Sequence, residues 1–126
     1  MDAIKKALGN APVFVVAYIV FMIPTYLLPY VGSNSSVVGA VGAAAGAGLS
    51  PAFWIHLLAL VVLCVLCWIR GSVVTKTWLL VFPFLAMTFD LLPGLSVIPL
   101  VPTVMHLLAI ILGVASPKPV LPTQQV

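Results

Sequence analysis

The chain of 126 residues is 63% hydrophobic and 6% charged, whereas a soluble globular domain carries about 25% charged residues. This composition excludes an ordinary soluble domain and predicts that lipid is the solvent for most of the chain. Five Lys and Arg residues against two acidic ones give a formal net charge of +3. The sequence contains no basic cluster with interleaved aromatic residues, so nucleic acid is excluded as a partner.

The length bounds the number of membrane crossings. At roughly 20 apolar residues per crossing, four spans nearly exhaust the chain and leave no room for a soluble catalytic domain. We therefore predict one all-α integral membrane domain over residues 1–126, since a chain in lipid must satisfy its backbone internally. The predicted spans are residues 11–31, 51–69, 77–92 and 96–115.

The first span follows a polar lead that contains Asp2, Lys5 and Lys6. A signal peptide is the competing interpretation, but its apolar region is only about 7–15 residues long, so we expect this segment to be retained. Pro24 and Pro29 lie in its outer half. Because proline removes a backbone donor, we predict a kink or early fraying there.

Residues 32–50 form a Gly/Ala-rich stretch after a turn signal, GSNSS. Its apolar part would span only about 20 Å as a helix, against a hydrocarbon thickness of about 30 Å. We expect an outer loop, an interfacial helix or a re-entrant segment. Small residues favour close helix contacts, and the candidates are Gly39, Gly42, Gly46 and Gly113.

The second span begins at Pro51, which suits a first helical turn. Cys64 and Cys67 form a CxxC pattern near the C-terminal end of this span, where the helix dipole disfavours a thiolate. We interpret both as small packing residues rather than as a redox pair. Residues 70–76, RGSVVTK, are predicted to be a short polar loop.

The last two spans are interrupted by prolines. The third is only about 24 Å long, so it must thin the bilayer or continue beyond Pro93. The fourth begins either at residue 96 or after Pro102, and we expect regular helix only after Pro102. The predicted helix break comprises Pro93, Gly94, Pro99 and Pro102, and the tail, residues 117–126, is Pro-rich and extended.

The cations indicate the orientation. With four spans they all lie on one side, which the positive-inside rule assigns to the cytoplasm, together with both termini. We expect a bacterial inner membrane on grounds of chain economy. The cations concerned are Lys5, Lys6, Arg70, Lys76 and Lys118.

One polar residue per span is predicted at a similar outer depth: Tyr26, His56, Asp90 and His106. If these side chains meet, two imidazoles and a carboxylate could bind a divalent metal ion or relay a proton. In the alternative, Asp90 bonds the broken backbone near Pro93 and Gly94, while the histidines lie at the wet interface.

The sequence contains no Glu, no HExxH, no GxSxG and no phosphate-binding loop. We therefore predict no cofactor and a non-enzymatic subunit or accessory protein of a membrane complex, either as a homo-oligomer or bound to a larger membrane protein. Two alternatives stay open. One is a small oligomeric channel or transporter with Asp90 in the pathway, and the other is a metal-dependent membrane enzyme that uses His56, Asp90 and His106.

Overall fold

The computed structural model describes residues 1–28, 51–92, 95, 98 and 100–116. These residues are helical without a strand, so the predicted all-α class is confirmed for this part of the chain. A 3₁₀ helix over Thr77–Leu80 directly precedes the fourth α-helix. The α-helices are α1 (Asp2–Leu8), α2 (Ala11–Leu27), α3 (Pro51–Val73), α4 (Val81–Leu91) and α5 (Leu100–Ala115).

One helix, α3, is long and apolar enough to cross a membrane, with 23 residues and a mean hydropathy of 2.6 over its most apolar window. Helices α1 and α2 together pass the same test, but they are bent by 94° at the break between them. Thr77–Leu91 and Leu100–Ala115 are apolar but shorter. By length and composition, the described residues thus contain one span, or two if the bent pair counts as one.

The observed helix bounds differ from the predicted ones around the prolines. Helix α2 passes through Pro24 and continues to Leu27. Helix α5 begins at Leu100, so the prediction that regular helix starts only after Pro102 is wrong. Pro102 lies in the first turn of α5, where a backbone N–H has no intrahelical partner and its loss is harmless.

Helix α3 is the centre of the molecule and contacts every other helical element. Helix α2 packs along α3, while α4 and α5 pack against each other as a pair that also touches α3. Helix α1 turns away from α2 and lies against the C-terminal half of α3. The core cluster at this crossing includes Leu8, Phe14, Tyr18, Leu63, Cys67 and Ala109.

The predicted polar loop at residues 70–76 is mostly helix, because α3 continues to Val73. A tight turn then leads into the 3₁₀ helix, with the Lys76 N–H donating to the Gly71 carbonyl at 2.7 Å. A Cβ atom at position 71 would lie 2.7 Å from the Lys76 carbonyl oxygen. Glycine at position 71 therefore permits this close return of the backbone.

Several predicted features lie outside the described residues. These are the Gly/Ala-rich stretch with Gly39, Gly42 and Gly46, the break residues Pro93, Gly94 and Pro99, and the tail with Lys118.

Candidate functional site

The described helices bury several polar side chains within a mostly apolar core, and they also expose many large apolar side chains. His56 is 0% exposed, whereas Val16 and Leu58 are each 62% exposed. A soluble bundle instead presents a mainly polar surface, because its apolar stripes face the core. The buried polar and charged side chains are Thr25, His56, Arg70, His106 and Ser116.

His56 and Asp90 form a close pair that joins α3 to α4. The His56 Nε2 atom lies 2.6 Å from the Asp90 Oδ2 atom. An ionised carboxylate can only accept, so Nε2 carries the hydrogen and donates it to Asp90. The Asp90 side chain is 23% exposed, whereas that of His56 is fully buried. The other ring nitrogen, His56 Nδ1, is buried without a hydrogen-bond partner in the described structure.

His106 is joined to Tyr18, which links α5 to α2. The Tyr18 hydroxyl oxygen and His106 Nδ1 lie 2.8 Å apart in a buried hydrogen bond. The two rings also meet edge to face, with centroids 5.8 Å apart. Tyr18 was not among the predicted site residues. It could have been found from the sequence, because a tyrosine in the middle of an apolar helix needs a partner for its hydroxyl group.

Tyr26 makes a third contact, also between α2 and α5. Its hydroxyl group donates to Thr103 Oγ1 at 2.9 Å in an exposed position. Thr103 lies one turn before His106 on α5, so Tyr18 and Tyr26 bond to successive turns of the same helix.

The predicted four-residue cluster is thereby corrected. Of its members, His56 and Asp90 are bonded to each other, whereas His106 is bonded to Tyr18 and Tyr26 to Thr103. Among the described residues, no three His, Cys, Asp or Glu side chains are grouped closely enough to hold one metal ion. The described residues therefore do not provide a metal site built from His56, Asp90 and His106, and a metal-dependent enzyme that uses it is not proposed.

Arg70 is a second interior site, at the opposite end of α3. Its side chain is buried, and it donates to backbone carbonyls rather than to a carboxylate. Nη1 donates to Leu8 and Gly9, at 2.9 Å and 2.7 Å, and Nε donates to Gly113 at 3.0 Å. These carbonyls belong to the C-terminal ends of α1 and α5, which lack intrahelical partners and carry the negative end of the helix dipole.

Phe14 and Gly113 complete the surroundings of Arg70. The Arg70 guanidinium carbon lies 5.7 Å from the centroid of the Phe14 ring, within cation–π range. A Cβ atom at position 113 would lie 2.5 Å from Phe14 Cε1. Gly113 therefore lies at a close contact between α2 and α5, and its lack of a side chain leaves room for the ring.

Both cysteines are free thiols. Cys67 is buried in the core cluster, and Cys64 lines an open apolar groove between α3 and α4 together with Val65 and Phe84. Among the described residues, neither has a charged neighbour that would stabilise a thiolate in the manner of a redox cysteine.

Comparison of the chain with protein-family models, with curated proteins and with solved structures found no match in any of the three. Function therefore has to be inferred from the contacts described above.

Proposed function

We propose that the chain is a small integral membrane protein with four membrane-crossing segments, and that it acts as a non-enzymatic subunit of a membrane assembly. The observation that carries this proposal is the apolar surface of the described helices, with large aliphatic side chains outside while His56, Arg70 and His106 are inside. In water such a surface would aggregate, whereas in lipid it faces a solvent of its own polarity.

The contacts at the two ends of the molecule support four crossings. Arg70 brings the C-terminal ends of α1, α3 and α5 together at one end. The His56–Asp90 pair brings the start of α3 to the end of α4 at the other end. Successive long helices therefore run in alternating directions, as in a chain that crosses a bilayer repeatedly.

The short helices are compatible with crossing. Helix α2 has 17 residues and α5 has 16, which at 1.5 Å per residue is about 24–26 Å. The remaining crossing consists of the 3₁₀ helix with 4 residues and α4 with 11, and together these are about 24 Å long. A bilayer adjusts to a short apolar helix by local thinning, at a modest cost per ångström of mismatch. Lys5, Lys6 and Arg70 lie at the same end, which the positive-inside rule assigns to the cytoplasm.

The interior contacts and the exposed helix faces support a role as a subunit. The contacts of Tyr18 with His106, His56 with Asp90 and Arg70 with Gly113 each join two helices, which suits the holding of a bundle in lipid. Two grooves among the described residues have apolar linings. A bundle this small buries little surface of its own, so its exposed helix faces are the surfaces available to another copy or to a larger membrane protein.

Photo-crosslinking in the native membrane tests this role. A photoreactive amino acid is placed at one exposed position of each long helix: Val16, Leu58, Phe84 or Ile111. We expect discrete protein adducts from one or two helices and lipid adducts from the others. Lipid adducts alone at all four positions would contradict the subunit role, because every helix would then face lipid.

A second candidate, a small oligomeric channel or transporter, is favoured by Asp90. This carboxylate is partly exposed at the end of the bundle, while its partner His56 is fully buried, and intramembrane acidic residues commonly mark an ion or solute pathway. Flux into proteoliposomes under an imposed ion or proton gradient tests it. We expect Asp90→Asn to abolish flux and Asp2→Asn, at the only other acidic residue, to leave flux unchanged. No flux by the native chain under any gradient would exclude this candidate.

A further inference from the structure

We propose that His56 and Asp90 form a proton-binding site in which the exchangeable proton binds to His56 Nδ1. This inference goes beyond the proposed subunit role and does not rest on it. The site is built from α3 and α4, and its open side is the end of the bundle where Asp90 is partly exposed.

One ring nitrogen of His56 is available to bind a proton, because no described residue bonds to it. A histidine that serves only to connect helices has both nitrogens satisfied when it is fully buried. His56 has one nitrogen bonded to Asp90 at 2.6 Å and the other, Nδ1, without a partner among the described residues. The carboxylate selects the tautomer with hydrogen on Nε2, so the lone pair of neutral His56 is on Nδ1.

The net charge of the His56–Asp90 pair also favours a bound proton. With His56 neutral and Asp90 ionised, the pair carries one negative charge among apolar helices. Arg70 is the buried cation of α3. The helix rises about 21 Å between position 56 and position 70, at 1.5 Å per residue, so Arg70 is far from His56. Lys5 and Lys6 lie on α1 at the Arg70 end, and Lys76 lies just beyond that end of α3. None of the described cations is therefore positioned to neutralise Asp90.

The titratable groups on the neighbouring helices do not supply a positive charge either. On α5, the Nδ1 atom of His106 is already engaged by the Tyr18 hydroxyl group. On α2, Tyr26 is bonded to Thr103. A proton on His56 is thus the simplest counter-charge that these surroundings allow.

The proton at His56 Nδ1 is exchangeable, because one effect favours its uptake and another favours its release. A proton from water adds to the Nδ1 lone pair while the Nε2 hydrogen stays on its bond to Asp90, so the pair changes from one negative charge to a neutral ion pair. The new N–H has no acceptor among the described residues, and a buried donor without an acceptor is unfavourable by about 1–3 kcal/mol. Neutralisation of the pair therefore favours uptake of the proton, whereas the missing acceptor favours its release.

NMR of the imidazole nitrogens in the isotopically labelled full chain, in detergent or nanodiscs, tests this proposal directly. The chain has two histidines, so the spectrum of His56→Gln assigns the signals. We expect His56 Nδ1 to change reversibly between its bare and protonated forms as the pH of the sample is lowered, while Nε2 stays protonated. A His56 Nδ1 that keeps one form at every pH at which the protein stays folded would overturn the proposal.

A matched pair of variants then tests the part played by the carboxylate. Asp90→Asn should move the midpoint of proton binding at His56 to lower pH, because it removes the negative charge in contact with the ring. Asp2→Asn should leave it unchanged. An unaltered midpoint in folded Asp90→Asn would refute the pair as the site. If that variant fails to fold, the titration of the native chain still decides the proposal.

The proton site and the subunit role can fail separately. A positive titration together with lipid adducts alone in crosslinking would retain the proton site and reject the subunit role.

Discussion

At the scale of single residues, the buried cation Arg70 has backbone carbonyls rather than a carboxylate as its hydrogen-bond partners. Arg70 has no carboxylate beside it among the described residues, and the carbonyl ends of two helices take that place. A guanidinium group suits this position because its donors form a rigid fork that reaches several oxygens at once. Arg70 thus ties α3 to α1 and α5 with one side chain.

Replacing Arg70 tests whether these bonds hold the three helices together. Arg70→Met keeps the apolar stem but leaves the carbonyls of Leu8, Gly9 and Gly113 without a donor. We expect a loss of about 1–3 kcal/mol for each carbonyl that water cannot reach, seen as a lower midpoint of thermal unfolding in detergent. Arg70→Lys should lose less, since it keeps the charge and part of the bonding.

The control for this experiment is Lys5→Met, which removes an exposed cation from the same end of the molecule. It should change the midpoint little, because exposed charges contribute about 0–1 kcal/mol. Equal losses in Arg70→Met and Lys5→Met would mean that the net charge, rather than the carbonyl contacts, is what matters.

The sequence singled out residues by how unusual they are in lipid. Asp90, His56 and His106 were identified in this way, because charged and titratable side chains are rare in apolar helices. Tyr18 was not, since tyrosine is common near membranes. Arg70 was assigned to a loop, because the sequence alone does not reveal that α3 extends four residues beyond the predicted end at residue 69.

At the scale of elements, the close contact between α2 and α5 depends on a glycine, which has no side chain, at position 113. Helices α2 and α5 meet where the Phe14 ring lies against Gly113, and the same ring lies beneath Arg70. Phe14 is fully buried, so its ring has no free space into which it can turn. The contact therefore depends on glycine at position 113.

Gly113→Ala tests this contact. In an unstrained helix this change is favourable by up to about 1 kcal/mol. Here we expect a net loss of about 1–3 kcal/mol, because the new methyl group overlaps the Phe14 ring. Thermal unfolding in detergent measures the change. Adding Phe14→Leu to Gly113→Ala should recover part of the loss. A stabilising effect of Gly113→Ala would show that the two helices separate freely.

The prolines show how position decides their effect on a helix. Pro51 begins α3 and Pro102 lies in the first turn of α5, and neither interrupts its helix. Pro24 is inside α2, where the carbonyl one turn earlier loses its donor. The Thr25 hydroxyl group bonds to the Met22 carbonyl at 2.7 Å in the same turn. Proline content alone therefore predicted more helix interruption than is found among the described residues.

At the scale of the whole molecule, the contacts sort the chain into two ends. The Arg70 end contains α1 with its two lysines, and the Asp90 end contains the starts of α3 and α5. Helix α1 turns through 94° from α2. That geometry suits a short helix lying along a membrane surface while α2 enters the bilayer.

Single cysteines, introduced after Cys64→Ala and Cys67→Ala, test this arrangement across a membrane. We expect Ala3→Cys and Thr77→Cys to react with a membrane-impermeant reagent from the cytoplasmic side, and Ile98→Cys to react from the other side. All three positions are exposed, so accessibility to the reagent reports the side of the membrane. Labelling of positions 3 and 77 from opposite sides would rule out an even number of crossings between them.

Composition and the lengths of the apolar runs were enough to predict that the described part of the chain is helical, apolar and sparing with polar side chains. Counting residues along a helix axis predicts the depth of a side chain, since each residue advances the chain by about 1.5 Å. The rotation of each helix about its axis could not be predicted, because a helix that is apolar on nearly every side has no stripe to mark its inner face. That His56 meets Asp90, that His106 meets Tyr18 instead, and that Arg70 binds the open ends of two helices could therefore be seen only in the packed structure.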